Sequence, residues 1–231
     1  MGAPDFAKLP HIGESLRRKE DLRFLTGAGQ YTDDIQLANQ RCAVFVRSPH
    51  AHARITSVDT SRAAAMPGVR KVFTGADLDG KVNGLPCGWL ITSTDGTPMK
   101  EPPHPVLAVG KVRYVGDAVA MVVADTLQQA KDAAEAVDVG YEVLGACVDV
   151  RDARTAPALH DAAPDNHCYK WAIGDKAQVD AAFAKAAHVT RIDLVNNRLV
   201  PNAIEPRSAI GAYNRASDEY TLYVANQNPH V

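Results

Sequence analysis

The chain has 231 residues, a net charge of −2, and 46% hydrophobic, 23% charged and 6% aromatic side chains. That is globular material able to bury a core, as one large domain or two small ones. Neither a basic surplus nor a supply of stacking rings is present, which argues against a nucleic-acid-binding protein.

Cys42, Cys87, Cys147 and Cys168 are widely spaced and form no CxxC pair. They read as reduced, mostly buried thiols rather than metal ligands or a disulfide framework. The opening residues contain no apolar secretory core, and Phe6 stands where a myristoylation signal requires Ser or Thr. No apolar stretch reaches the length of a membrane span. The expectation is a cytoplasmic chain without a membrane span.

Residues 1 to about 20 are polar and irregular and read as an arm. "RCAVFVRSP" at 41–49 is a strand stopped by Ser48-Pro49, and "ARITSVDTS" is a second. "SRAAAMPG" is a short helix ended by Pro67-Gly68, "VRKVFT" a third strand and "GADLDG" a turn. Residues 81–105, rich in Gly, Pro, Ser and Thr, form a long loop, the kind that is usually functional or mobile. The nearly continuous apolar run at 115–124 predicts a buried strand. Thr126 and Gln129 make a capping box for a helix with an apolar stripe of Leu127, Ala130, Ala134 and Val137. "VDVGYEVL" is a further strand. Residues 151–166 read as a linker. Asp175 and Gln178 cap a second helix with Val179, Phe183 and Ala186 on one stripe. "HVTRIDLV", "RSAIGAY" and "EYTLYVAN" complete the strands. The sum is one α+β domain followed by the opening of a second, too thin to stand alone.

His50 and His52 in "SPHAH" would share a strand face, but no third ligand has a sensible spacing, so they read as a surface pair. Asp33 and Asp34 read as a turn. No GxGxxG, GxxxxGK[ST] or GxSxG motif occurs. Glu205 is a different case. Pro206 holds its backbone extended, and Arg207 follows. Two roles remain open for it: an ion pair that pins a bend, or a polar group held rigidly at a pocket edge. Gln227, after the strand "YTLYVAN", offers an amide donor and acceptor, or is simply an exposed strand end.

Six segments occur in order: "LRRKEDLRFLTGAGQYTDDI", "VRSPHAHARITSVDTSRAAAMPGVRKVFTGADL", "VRYVGDAVAMVVADT", "AAEAVDVGYEVL", "GDKAQVDAAFAKAAHV" and "IEPRSAIGAY". Together they resemble the N-terminal part of the large, molybdopterin-binding subunit of the molybdenum hydroxylases. That family comprises xanthine dehydrogenase, aldehyde oxidase and aerobic carbon monoxide dehydrogenase. The style is closest to bacterial carbon monoxide dehydrogenase-type large subunits, and the likeness runs from Gly13 onward.

The resemblance implies an α+β fold with an N-terminal arm at 1–19 and an α/β hammerhead domain at 20–144. The beginning of the molybdopterin-binding domain would follow at 145–231. It implies oxidation of a small molecule (carbon monoxide, an aldehyde or an N-heterocycle) with water as oxygen source. The cofactor would be molybdenum-molybdopterin in its cytosine dinucleotide form. Electrons would pass to a [2Fe-2S] small subunit and an FAD-binding medium subunit. Gln227 in "NQNP" matches a family position beside the metal, where the glutamine amide donates to the apical oxo group. Glu205 in "IEPR", with Arg207, matches positions that frame the pocket. The family's "GGGFG"-type loop, its catalytic glutamate and its cysteine-bearing loop are not among these residues. The chain is therefore expected to be a piece of a longer subunit. On its own it would have no catalytic residue, no metal ligand and no bound cofactor. The alternative from another class is a non-catalytic scaffold for subunit contacts.

Overall fold

A computed structural model describes residues 13–197, 199–200, 202–203 and 205–227. In chain order the elements are α1 (Asp21–Leu25), β1 (Cys42–Arg47), β2 (Ala53–Asp59), α2 (Ser61–Ala64), β3 (Val69–Thr74), α3 (Gly75–Leu78), β4 (Lys111–Val112), β5 (Ala118–Ala124), α4 (Leu127–Glu135), β6 (Asp138–Val143), α5 (Lys176–Lys185), β7 (Ala209–Asn214) and β8 (Glu219–Val224). They divide between two compact units. One is Asn39–Leu194, and the other joins the described residues of Met1–Ala38 and Val195–Val231.

The Asn39–Leu194 unit holds two antiparallel three-stranded sheets, ordered β1-β5-β3 and β4-β2-β6. The central strand β5 is covered on both faces, which is why its sequence is an unbroken apolar run rather than an alternation. Val119 packs with Ala53, Ala108 and Val112 against the second sheet. Val122, on the opposite face, packs with Ala63, Val72 and Ala133 of the helical side. The strand begins at Ala118 rather than at Val115. Gly116 is left-handed (φ 89°), and the Asp117 carboxylate accepts from the Arg113 N–H at 3.0 Å, so this stretch is a closed turn.

The capping box at Thr126 is present: its hydroxyl oxygen accepts from the Gln129 N–H at 3.2 Å, and the Gln129 side chain accepts from the Thr126 N–H at 3.1 Å. The buried face of α4 is Ala130 and Ala133, with Ala134 and Val137 at its margin, while Leu127 is half exposed. The expected stripe is thus turned. Alanines let the helix approach the sheet closely, and the first-turn leucine is left outside. "GADLDG" is a single helical turn rather than a plain turn, because Asp77 accepts from both the N–H and the hydroxyl of Thr74 at 2.8 Å.

Gly68 joins α2 to β3 at φ 82°, and a Cβ there would lie 2.3 Å from the Gln129 amide that serves the capping box. Gly80, at φ 70°, would meet nothing within 4 Å. Gly68→Ala is expected to cost about 2 kcal/mol and Gly80→Ala about 1 kcal/mol, from left-handed strain at both and cap displacement at the first alone. Equal losses in urea midpoints would contradict that coupling.

Three further expectations change. Residues 188–195 form no strand: Ile192, Leu194 and Val195 are exposed and no ladder partner faces them. Helix α5 is capped by Asp175 as expected, but Val179 and Phe183 stay exposed and Ala186 lies past its end. Residues 151–166 are not a free linker. Asp165 pairs with Lys100 at 2.8 Å, the Lys100 N–H reaches the Cys168 carbonyl at 2.9 Å, and the Thr94 N–H reaches the Lys170 carbonyl at 2.8 Å. The long loop at 81–105 is thereby tied down by the segment that follows β6.

The Lys100 ammonium, by hydrogen bond first, holds the Asp165 carboxyl down to about 2. A depressed carboxylate stabilises the fold fully above its unfolded value, about 3.9, and that contribution disappears as pH falls toward 2. Lys100→Met is expected to return the Asp165 midpoint, read by NMR titration, toward about 3.9. A midpoint that stays near 2 would assign the shift to the local backbone instead.

Candidate functional site

The two histidines of "SPHAH" are not a surface pair. Ser48 folds the turn inward by exchanging bonds of 3.0 Å with the backbone of His50. His50 stands edge-on to the Tyr141 ring at 5.0 Å. His52 is buried, with Nδ1 2.8 Å from the Gly145 carbonyl and Nε2 lacking a hydrogen-bond partner. All four thiols are free and half-buried rather than fully buried. Among the described residues, no group of three or more His, Cys, Asp or Glu side chains is arranged to hold a metal ion.

The residues picked out at the C-terminal end lie on and beside a small antiparallel hairpin. β7 and β8 pair from Ala209↔Val224 to Asn214↔Glu219, and Asp218 takes a left-handed conformation (φ 55°) in the connecting turn. Tyr213 and Tyr220, directly opposite, stack at 4.6 Å. The Tyr213 hydroxyl donates to Asp218 at 2.9 Å, a bond that pushes the phenol pKa up. The Ala225 N–H continues onto the Ser208 carbonyl at 3.1 Å. The hairpin thereby places residues 205–208 and 225–227 at the same end of the ladder.

Glu205 is half-buried and Arg207 exposed. No ion pair joins them, so of the two roles open to Glu205 the bend-pinning salt bridge is not formed. Gln227 is exposed three residues past β8, and its amide makes no hydrogen bond to a described residue. No direct bond links Glu205, Arg207 and Gln227 to one another. Ile204 and the residues from Asn228 onward lie outside the described residues.

A second constellation carries no motif-level signal. In the Asn39–Leu194 unit a cleft of about 360 Å³ opens between the proline run before β4 and the segment after β6, lined by Pro103, His104, Arg113, Tyr114, Asp117 and His160 among others. Burial, and then the Arg113 guanidinium, push the His160 imidazole pKa down. Burial, and then the Asp117 carboxylate, push the Tyr114 phenol pKa up. The one hint in sequence is "EPPHP", a stiff run inside a long loop.

The family described as "Aldehyde oxidase and xanthine dehydrogenase, a/b hammerhead domain" matches residues 26–145. The chain belongs to that family. A molybdopterin cofactor-binding domain matches residues 159–231 of this family member. The fold is thus α+β, a hammerhead domain followed by the beginning of a molybdopterin-binding domain.

Similar proteins include the carbon monoxide dehydrogenase large chain of Afipia carboxidovorans, 38% identical over 97% of this chain and 28% of that one. The nicotine 6-hydroxylase large subunit of Paenarthrobacter nicotinovorans is 37% identical over 95% of this chain and 26% of that one. The crystal structure of quinoline 2-oxidoreductase from Pseudomonas putida 86 superposes with a TM-score of 0.80 at 34% identity, over 94% of this chain and 27% of that one. This family member therefore spans little more than a quarter of the length of these relatives. No helix among its described residues is long and apolar enough to cross a membrane.

The cofactor that the second domain implies fits the donor chemistry of Gln227. A neutral amide past a strand end, with no internal acceptor among the described residues, is free to donate to an oxygen-rich ligand without adding charge.

Proposed function

We propose that the protein is the N-terminal portion of the large subunit of a molybdenum hydroxylase. Its whole would oxidise a small molecule (carbon monoxide, an aldehyde or an N-heterocycle) with water as the source of oxygen. The observation that carries the proposal is the ordered match of a hammerhead domain and a molybdopterin-binding domain along one chain. The redox chemistry belongs to a molybdenum-molybdopterin group, in our reading the cytosine dinucleotide form, and the protein supplies binding, orientation and electrostatics. A [2Fe-2S] subunit and an FAD subunit would carry the electrons away.

Within this chain, Gln227 would donate its amide N–H to the cofactor's oxo oxygen. Glu205, held extended by Pro206 and half-buried, would frame the pocket with Arg207 beside it. We divide the chain into an arm at 1–19, the hammerhead at 20–144 and the molybdopterin-binding portion at 145–231. Catalytic groups are assigned to none of the residues present.

The test is expression of the complete subunit with its partners, metal analysis, and turnover of candidate substrates in ¹⁸O-labelled water. Stoichiometric molybdenum with ¹⁸O in the product is the expected result. A loaded complex that turns over no carbon monoxide, aldehyde or N-heterocycle would instead favour the scaffold alternative.

A further inference from the structure

The cleft between the proline run and the segment after β6 is built for recognition, independently of the molybdenum chemistry. Its volume of about 360 Å³ suits a small molecule of one or two rings. Its walls are flat and stiff. Pro102, Pro103 and Pro105 contribute pyrrolidine rings on one side. The rings of His104 and Tyr114 meet edge to face at 6.5 Å on another.

The polar groups are few and already oriented. Arg113 donates Nε to the Leu159 carbonyl at 3.0 Å and Nη1 to the Lys111 carbonyl at 3.3 Å. These bonds immobilise the guanidinium while leaving Nη2 without a partner. Asp117 uses Oδ2 to accept from the Arg113 N–H, which fixes its carboxylate beside that donor. One held cation and one held anion line the same cavity, so neither an anionic nor a cationic ligand is favoured by net charge. A rigid donor next to a rigid acceptor instead matches a ligand edge that carries the complementary pair.

We propose that this cleft binds a neutral, planar heteroaromatic molecule with a lactam-type edge. Its ring lies against the prolines and the His104–Tyr114 pair. Its carbonyl accepts from Arg113 Nη2, and its N–H donates to the Asp117 carboxylate.

The experiment titrates the 231-residue chain with 2-quinolone, N-methyl-2-quinolone and benzoate, following the ring resonances of His104, His160 and Tyr114 by NMR. 2-Quinolone is expected to saturate those resonances with a Kd of about 0.1–1 mM, an ordinary range for a ligand of that size. N-methylation removes the donor and is expected to weaken binding about tenfold, because the buried acceptor is left unpaired. Tyr114→Leu should weaken 2-quinolone about tenfold through loss of ring contact. Tyr114 is half exposed, so that variant keeps the fold. Equal affinity for the two quinolones, tighter binding of benzoate, undiminished affinity in Tyr114→Leu, or shifts confined to other residues would each overturn the proposal.

Discussion

Val119→Asp is expected to abolish cooperative folding of the Asn39–Leu194 unit. Val119 is 1% exposed and sits in the cluster of Ala53, Ala108 and Val112, between β5 and the second sheet. Nothing in that cluster can donate a hydrogen bond or carry a compensating charge. Burying a carboxylate there costs several kcal/mol even if it takes up a proton, against a total stability of about 5–15 kcal/mol for an ordinary domain. Val119→Ala, which removes volume without adding polarity, should cost only about 2 kcal/mol and keep a sharp melting transition. Circular dichroism melting of the two variants separates the effects. An unchanged melting curve for Val119→Asp would refute the burial of β5 on this face.

The other large effect belongs to Gln227 in the complete, loaded enzyme. Gln227→Glu preserves size, deletes the amide donor and places a negative charge where the proposed ligand oxygen lies. Loss of one donor aimed at developing charge typically lowers turnover by about 10²–10³. The side chain is exposed and unbonded to the described residues, so the fold of the 231-residue chain should be nearly indifferent to the change. The expected signature is a fall in kcat at normal molybdenum content and normal melting temperature. Wild-type turnover in a fully loaded Gln227→Glu enzyme would remove Gln227 from the site. A loss of molybdenum instead of rate would recast it as a residue that retains the cofactor.

The three residues taken from the family pattern differ in how much of their role the fold makes visible. The extended backbone at Glu205 follows from Pro206 alone, through a steric rule that acts between neighbours. Whether Glu205 would pair with Arg207 could not be read the same way, because side-chain pairing depends on where each carboxylate and guanidinium is free to point. The structure leaves them apart. The cleft is the opposite case. Arg113, Tyr114, Asp117 and His160 are ordinary residues in sequence, and only the return of the segment after β6 onto the proline run sets them around one cavity.

Local rules determined much of this protein from its sequence. The strands β1, β2, β3, β6, β7 and β8, and the caps at Thr126 and Asp175, stand where alternation, turn residues and capping chemistry put them. These features depend on residues within a few positions of each other. The tertiary structure decided what depends on distant partners. The apolar run 188–195 stays irregular because no strand pairs with it, while the same kind of pattern at 42–47 becomes β1 because β5 is there to receive it. The face of α4 was settled by how closely alanines could approach the sheet. His52 went inside because Gly145, far along the chain, returns to accept its ring proton. A backbone conformation is chosen by neighbours in sequence, but burial and pairing are chosen by neighbours in space, and those exist only once the chain has folded.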